Sequence, residues 1–450
     1  MSVAIVLFSD DFRLVDNPAL ALAAKKYDNI IPLYIYNKNY LGRELGSASK
    51  VFLHKILESF SKLLREKYNA ELIIKSGEYP EVITEICKQM RIDAIYFNHS
   101  HTLAQIQNEE TIRHNFTHLD VQSFKAKLLF DPWEIKPGSG SDFYKVFTPF
   151  SKECLKNTDK IQPSHPAPKS IKSLHNIQGI PLENLQLIPK NQGKWCENLL
   201  NHWKFSYDEI TQDFLNFVDL SLEKYSIMRN IPASNGNSGI SPYLRFGIIS
   251  PKMCFNAVAS AVPNINHQFI LELLWREFAY HVMFFNQDIA TKELKPQYAN
   301  FTWNSDENLL EKWQKGNTGF DIVDSGMLEL WRTGVMHGRI RMVVASFLIK
   351  DLLLDWRLGE QWFWETLVDA DPAINPFSWQ WVFGSGFDAA PYFRIFNPDS
   401  QKEKFDPNGT YCKKWLPQNW QPQRVVSHDI QRKITLERYK DVNKLQAKNP

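Results

Sequence analysis

A carboxylate and an indole lie three residues apart in a stretch whose apolar spacing predicts a helix over 268–285. Because residues three apart share a helix face, Glu272 and Trp275 project in the same direction. A carboxylate can hydrogen-bond a bound group and stabilise charge that develops on it, and an indole offers a broad surface for stacking. The alternative is a purely structural i, i+4 ion pair between Glu272 and Arg276.

Two further groups of polar residues could hold an anionic or polar ligand. Ser241 stands before Pro242 at a predicted helix start, where a hydroxyl and backbone N–H groups suit a phosphate. N-capping of that helix would use the same hydroxyl. Asp369, Asp371 and Asn375 lie in a stretch interrupted by prolines, and these residues by themselves favour a solvated turn.

The composition indicates a water-soluble chain of two or three domains, with 450 residues, 44% hydrophobic and 23% charged. The net charge of +2 excludes a protein that coats nucleic acid by bulk charge, so any DNA binding needs a local basic patch. The five cysteines form no CxxC pair, and we expect no metal site and no disulfide framework. No export signal or membrane-spanning run is evident, and we expect a cytoplasmic protein.

The first 130 residues alternate between apolar runs and amphipathic stretches. Strands are predicted at 3–8, 30–36, 71–75, 94–98 and 119–122. Helices are predicted at 18–26, 49–67, 80–91 and 104–115. This alternation predicts an α/β domain with a doubly wound parallel sheet, which binds ligands at the carboxyl ends of its strands. No glycine-rich motif follows the first strand, so a standard Rossmann dinucleotide site is not expected.

The rest of the chain has a different pattern. Residues 131–195 are predicted to be a connector, because prolines interrupt most of 157–193. Residues 196–450 are predicted to form a larger all-α domain, and the polar stretch after Pro417 to be a short helix or a loose tail. Helices are predicted at 207–225, 251–261, 268–285, 307–315, 321–331, 335–355 and 360–367.

Seven segments, taken in order, resemble the photolyase and cryptochrome family, and most of all its class I cyclobutane pyrimidine dimer photolyases. They are RLVDNPAL at 13–20, FYKVFTPF at 143–150, SPYL at 241–244, ELLWREF at 272–278, MHGRIRM at 336–342, WQW at 379–381 and DAAPYFRIFNP at 388–398. The resemblance implies an antenna-binding α/β domain at 1–130, the connector, and a helical domain at 196–450 that binds FAD and DNA.

The resemblance also implies which residues hold the FAD. They are Tyr225, Asn237, Ser238, Gly239, Ile240, Ser241, Phe269, Arg276, Arg341, Asp369, Ala370, Asp371 and Asn375. In the family the two arginines lie near the flavin, where a cation stabilises its reduced anion. Asn375 corresponds to an amide that faces flavin N5 and can donate or accept there.

For the reaction, the resemblance implies that light-excited reduced FAD donates an electron that splits a pyrimidine dimer and then returns. Glu272 and Trp275 match the carboxyl and indole that meet the lesion. Trp303, Trp356 and Trp379 match the tryptophan chain that reduces photoexcited flavin, although three core tryptophans would look the same in sequence.

UV-damaged DNA is the implied partner, bound by a monomer. The matching positions are Arg229, Glu272, Trp275, Gly338, Arg339, Met342, Trp381, Arg394 and Lys404. Trp275 and Trp381 would sandwich an extruded dimer, since photolyases are among the enzymes that take their target bases out of the stack. Class I members usually have Asn at the position of Gly338, and this departure supports the alternative, a cryptochrome-type photosensor.

Asn108 and Glu109 fall where folate-using relatives bind a pterin, whose N–H edge a carboxylate can pair with. We therefore expect methenyltetrahydrofolate as the antenna, with a deazaflavin or no antenna as alternatives. The alternative for Glu109 itself is an ordinary surface residue of a helix.

Overall fold

The structure, a computed structural model, describes residues 2–138, 140–174, 177–234 and 236–448. The sheet strands are β1 (Val3–Phe8), β2 (Asn29–Tyr36), β3 (Ile73–Ser76), β4 (Ala94–Asn98) and β5 (Asp120–Phe124). The helices between them are α1 (Pro18–Lys26), α2 (Ser47–Tyr68), α3 (Tyr79–Gln89) and α4 (Leu103–Asn115). Each predicted element of this half is therefore present, with ends that shift by at most two residues.

All neighbouring strands run parallel, in the order β3-β2-β1-β4-β5. Every residue of β1 and β2 is buried, because helices cover both faces of the sheet. The strand order reverses between β1 and β4, and such a switch point opens a crevice at the carboxyl ends of the strands. The predicted doubly wound α/β sheet is confirmed.

The segment predicted as a connector is partly ordered against the sheet. The helix α5 (Phe147–Lys156), which the sequence did not predict, buries Phe147, Phe150 and Cys154. Further along, the Ile180 N–H donates to the carbonyl of Ile74 at 2.8 Å, which ties the segment to β3. The prolines therefore prevent long helices here without preventing contact with the sheet.

The rest of the chain is helical. Its helices are α6 (Gly193–Leu200), α7 (Tyr207–Ser221), α8 (Tyr225–Met228), α9 (Ser241–Arg245), α10 (Pro251–Ala261), α11 (Gln268–Phe285), α12 (Glu307–Gln314), α13 (Asp321–Thr333), α14 (Gly338–Ser346), α15 (Trp356–Thr366), α16 (Ile374–Phe383), α17 (Pro398–Phe405), α18 (Thr410–Trp415) and α19 (His428–Lys448). Short 3₁₀ turns occupy Thr158–Lys160, Leu182–Leu185, Leu222–Lys224 and Pro296–Asn300. The polar end of the chain forms the long helix α19, where the sequence predicted a short helix or a tail.

The predicted continuous helix over 335–355 is wrong at both ends. Gly334 adopts a left-handed φ of 70° and ends α13, and the imidazole of His337 caps α14 by accepting from the Arg339 N–H at 3.1 Å. After α14 the chain makes a π turn at Phe347–Asp351, and Leu353 has a φ of 56°. The wider turn inserts one extra residue per turn, which shifts the apolar pattern that the sequence presents.

Three apolar clusters form the core. The largest joins residues of β1, β2 and α2 to residues of α10 and α11, so the α/β half and the helical half share it. A second lies mainly in the helical half, contains Trp313, Trp356 and Trp379, and is joined by Leu41 of the α/β half, and a third covers the other face of the sheet. In the part of the chain that is described, no helix is both long and apolar enough to cross a membrane.

Candidate functional site

The start of α9 meets the stretch after α15 through three polar side chains. The Ser241 hydroxyl donates to Asp369 Oδ2 at 2.6 Å. Arg341, from α14, donates through Nη2 to both carboxylate oxygens of Asp369, at 3.0 and 2.9 Å. The N-capping interpretation of Ser241 is therefore wrong, because its hydroxyl is held by a carboxylate 128 residues away. The structure thus brings together three of the residues predicted to hold FAD.

The stretch that contains Asp371 and Asn375 is buried, so the alternative of a solvated turn is wrong. Tyr280 of α11 donates to Asp371 Oδ2 at 2.7 Å, and the other oxygen accepts from two backbone N–H groups at the start of α16. Asn375 donates through Nδ2 to the Glu360 backbone carbonyl at 3.0 Å and to Glu360 Oε1 at 2.8 Å. The carbonyl of Ala370, just before Asp371, accepts from Arg245.

Arg276 lies on α11, with its guanidinium 5.0 Å from the ring of Tyr280, and is only 7% exposed. Its Nη1 donates to the Lys127 carbonyl at 3.0 Å and lies 3.3 Å from Glu277. The predicted alternative, an ion pair between Arg276 and Glu272, is wrong. Arg276 Nη2 is buried without a hydrogen-bond partner among the described residues. A buried, unpaired guanidinium nitrogen is costly, and an anionic ligand would satisfy it.

The loop over 236–240 leaves space beside this set. Gly239 has a left-handed φ of 66°, and a Cβ at that position would meet no atom within 4 Å. Asn237 and Gly239 are exposed, Ser238 is half-buried, and Ile240 is buried. Tyr225 and Phe269 are buried edge to face, with ring centroids 5.5 Å apart. The open loop and the unpaired arginine nitrogen fit the phosphates of a dinucleotide, so the predicted residues suit FAD.

Glu272 and Trp275 are half-buried on the same face of α11, as their spacing predicts. Arg229 pairs with the Glu272 carboxylate at 2.6 Å, and Gln268 donates to the same oxygen at 2.7 Å. One face of Trp275 is covered by Phe147, whose ring lies nearly parallel at 3.7 Å between centroids. The carboxylate is thus fixed in place, and the indole is stacked on Phe147 while staying half-buried.

Cations converge next to Glu272. Burial, followed by the charges of Arg229 and Arg394, lowers the pKa of Arg339. Burial and the neighbouring arginines, with Arg339 first, lower the pKa of His337 to about 4. These shifts show that like charges lie close together, which is the local basic patch that the net charge of +2 conceals.

The remaining predicted DNA contacts border this patch. The ring of Phe405 lies under the guanidinium of Arg339 at 4.6 Å and under the Lys404 ammonium at 5.3 Å. Gly338 is exposed, and a Cβ there would meet nothing within 4 Å. Met342 and Trp381 are half-buried. Their roles toward DNA stay predictions.

The three tryptophans of the predicted electron chain contact the same apolar cluster of the helical half. Trp379 is 2% exposed and Trp356 is fully buried, whereas Trp303 is half-buried. The Trp379 ring packs edge to face on Phe363 at 5.0 Å, and the Trp303 ring lies 4.9 Å from Phe383. Exposure therefore rises toward Trp303, as a path to the surface requires.

The predicted antenna residues lie on α4, and both are half-buried. Glu109 Oε1 accepts from the Ser100 N–H at 2.7 Å, and its Oε2 lies 4.0 Å from His99. A separate crevice opens beyond the carboxyl ends of β1 and β2, and its lining includes Asp10, Tyr34, Tyr40, Arg43 and Tyr79. Asn108 and Glu109 do not line that crevice.

Sequence reasoning missed several residues of this site. Tyr280 holds Asp371, Glu360 holds Asn375, and Phe147 covers Trp275. Tyr280 lies four residues after Arg276 on the same helix face, which was the one available indication. Glu360 and Phe147 reach the site only through tertiary packing.

The helical half and the α/β half match two family descriptions. Residues 269–445 match the FAD binding domain of DNA photolyase, and residues 4–170 match DNA photolyase. A deoxyribodipyrimidine photo-lyase of Agrobacterium fabrum is 36% identical over 94% of this chain and 89% of its own length. That of Escherichia coli is 30% identical over 93% of this chain and 89% of its own length.

Solved structures agree. A bacterial class III photolyase from Agrobacterium tumefaciens superposes with a TM-score of 0.92 at 34% identity, covering 99% of this chain and 98% of that one. A cryptochrome from Synechocystis superposes with a TM-score of 0.85 at 26% identity, covering 97% of this chain and 99% of that one. With a relative above 30% identity across nearly the whole chain, the protein belongs to the photolyase and cryptochrome family and contains its FAD-binding domain.

Proposed function

We propose that the protein repairs cyclobutane pyrimidine dimers in DNA with blue light. The observation that carries this proposal is the position of Glu272 and Trp275, which lie half-buried on one face of α11 beside a cluster of cations. A photosensor needs buried FAD but has no need of a carboxylate held at the edge of a cationic surface. The relatives named deoxyribodipyrimidine photo-lyase support the same function.

The residues divide the work according to their surroundings. Arg229, Arg339, Arg394 and Lys404 would hold phosphates and position the DNA backbone. The half-buried indole of Trp275, with Trp381, would stack against an extruded pyrimidine dimer. Glu272 would accept a hydrogen bond from the pyrimidine edge and so hold the lesion in place, because Arg229 and Gln268 fix the carboxylate beforehand.

The cofactor residues would orient FAD and exclude water from it. Arg276 would bind its phosphates through the unpaired Nη2, Ser241 and Asp369 would hold its polar chain, and Arg341 would lie at the flavin edge. The chemistry that bound FAD supplies is the transfer of an electron after light absorption and its recovery. Trp379, Trp356 and Trp303 would serve to reduce oxidised cofactor from the surface, and not in the repair step.

Lesion class and antenna follow from the same comparison of motifs. The motifs of the helical half favour class I enzymes, whereas the structure with a TM-score of 0.92 is described as class III. We infer that residues 1–130 carry the antenna and 196–450 the FAD, in a cytoplasmic monomer.

We further propose methenyltetrahydrofolate beside Asn108 and Glu109, although an archaeal relative is described with two FAD molecules. Mass spectrometry of the released chromophore decides this point.

The repair assay uses purified protein, UV-irradiated DNA and blue light. The protein is expected to carry FAD and to remove dimers only in the light. Glu272→Gln keeps the shape and removes the charge, so it is expected to lower the repair yield about three- to tenfold, the loss of one strong hydrogen bond. FAD content is expected to stay at the wild-type level.

Glu66→Gln is the matched control, since Glu66 forms only an exposed ion pair with Lys62 on α2. Light-driven flavin reduction with persisting dimers in the wild type would refute repair and favour the photosensor. Loss of FAD from Glu272→Gln would refute the assignment of α11.

A further inference from the structure

One arginine of the α/β half contacts the helical half. Arg43 lies between β2 and α2, and its guanidinium forms a two-pronged pair with Glu360 of α15, at 2.6 Å from Nη2 to Oε1 and 2.9 Å from Nη1 to Oε2. The same guanidinium lies 3.5 Å above the Trp364 ring. The Trp364 indole donates to the Glu44 carbonyl, and Ser47 donates twice to Glu365. The segment that carries Arg43 is therefore held firmly on α15.

Glu360 in turn accepts a hydrogen bond from the side-chain amide of Asn375. Its side chain is 4% exposed, and Oε1 accepts from both Arg43 and Asn375. Asn375 Nδ2 also donates to the Glu360 backbone carbonyl. A carbonyl and a carboxylate only accept hydrogen bonds, so the amide must turn its nitrogen toward Glu360. Both amide protons are then used, and Oδ1 alone remains for a ligand.

We propose that Arg43 is a positioning residue of the α/β half that, through Glu360, fixes the amide orientation of Asn375 at the cofactor site. The inference rests on the proposed function, because that function places FAD against Asn375. An amide that offers only an oxygen accepts from an N–H and repels a bare ring nitrogen. Reduced flavin carries an N–H at the ring position that oxidised flavin leaves bare, so this orientation favours retention of the reduced form.

Removing either member of the relay is expected to release the amide. Arg43→Met keeps an apolar stem on Trp364 but leaves a buried carboxylate without its counter-charge. Glu360→Gln leaves only the backbone carbonyl of residue 360 as a fixed acceptor, because the new side-chain amide can donate or accept, so the preference of Asn375 for one orientation weakens. Arg43→Lys keeps the charge but loses the two-pronged geometry, and should give a partial effect.

The experiment measures the two-electron reduction potential of bound FAD in each full-length variant, in the dark and without DNA. Arg43→Met and Glu360→Gln are expected to weaken retention of reduced relative to oxidised FAD about three- to tenfold, a potential lowered by up to about 30 mV. Lys50→Met is the control, because Lys50 pairs with Glu44 on the same segment and does not touch Glu360. It is expected to leave the potential unchanged.

A wild-type potential in both Arg43→Met and Glu360→Gln, with FAD still bound, would overturn the inference and leave the proposed function intact. Failure of the wild type to bind FAD would instead refute the proposed function. Melting temperatures measured without added FAD identify a variant that does not fold. If Arg43→Met does not fold, Arg43→Lys and Glu360→Gln replace it in the experiment. An unchanged reduction potential in both of these variants overturns the inference.

Discussion

At the scale of single residues, Arg339 shows how a chain with a net charge of +2 can present a cationic surface. Its pKa is lowered first by burial and then by Arg229 and Arg394, so other cations lie close by. Asn230 accepts from one guanidinium nitrogen, and Phe405 stacks against the plane. Cations held side by side repel one another until an anion lies between them, which favours a phosphate ligand.

We predict that Arg339→Ala weakens binding to irradiated and undamaged duplexes by a similar factor. Loss of one phosphate contact should also reduce the slope of log K against log salt concentration by about one unit. Fluorescence anisotropy at several salt concentrations measures both quantities. Arg91→Ala, which removes an exposed cation of the α/β half, is the control. An unchanged slope in Arg339→Ala would contradict the phosphate contact.

At the scale of elements, the packing of α15 on α16 depends on one glycine. A Cβ on Gly359 would overlap the ring of Trp379 and the side chain of Leu348. Trp379, on α16, is a buried member of the proposed tryptophan path. The close approach of these two helices therefore sets both the core packing and the position of that indole.

Gly359→Ala should lower the free energy of unfolding by about 1–3 kcal/mol, the usual cost of an overpacked core, although alanine favours helices. It should also slow light-driven reduction of bound FAD by displacing Trp379. Urea denaturation and flash absorption measure the two effects. Gly193→Ala, at an exposed helix start with no atom within 4 Å of the new Cβ, should cause neither.

The helix α11 also carries a pH-sensitive contact with the segment before α5. His281 accepts from the Tyr144 N–H at 3.0 Å and donates to the Pro132 carbonyl at 3.1 Å, which requires the neutral imidazole. Burial lowers its pKa to about 4. The folded state resists protonation, so its stability is complete above the ordinary pKa of about 6.5 and is lost as the pH falls toward 4.

As the pH falls from 7.5 to 5, His281 should lower the free energy of unfolding by about 2 kcal/mol. We expect His281→Gln, which cannot titrate, to show a pH dependence smaller by about that amount in urea denaturation. His118→Gln, at an exposed position, should retain the wild-type dependence. Identical pH profiles for His281→Gln and the wild type would contradict the assignment.

At the scale of the whole molecule, a buried ion network joins the two halves. Asp10, at the carboxyl end of β1, pairs with Lys127 at 2.7 Å and with Arg245 of α9 at 2.9 Å. Burial acts to raise the pKa of Asp10, but Arg245 and Lys127 outweigh it and lower that pKa. Arg245 also donates to the Ala370 carbonyl, so the network reaches the proposed cofactor site.

Asp10→Asn leaves two buried cations without their counter-charge, and we predict a loss of about 3–5 kcal/mol of unfolding free energy. Because the largest apolar cluster spans both halves, wild-type unfolding should be a single transition. Scanning calorimetry of Asp10→Asn should show unfolding at a lower midpoint temperature, or two separate transitions in place of one. Glu66→Gln should keep the wild-type transition, and an equally stable Asp10→Asn would contradict the role of the network.

The sequence by itself determined the α/β sheet, because continuous apolar strands between amphipathic helices have one stable arrangement. It also determined that Glu272 and Trp275 share a face, since the helical repeat fixes that relation locally. The resemblance of ordered motifs indicated the family. These predictions depend on neighbours in the chain or on recurring patterns, which a single sequence contains.

Only the tertiary structure decided the partners of the polar groups. Ser241 binds Asp369 instead of capping its helix, Glu272 binds Arg229 instead of Arg276, and Arg43 reaches Glu360 across 317 residues. A hydroxyl, a carboxylate or a guanidinium forms its hydrogen bond or ion pair with whichever polar group the packing brings within about 3 Å. That choice depends on distant residues, so local spacing could name the site residues but could not pair them.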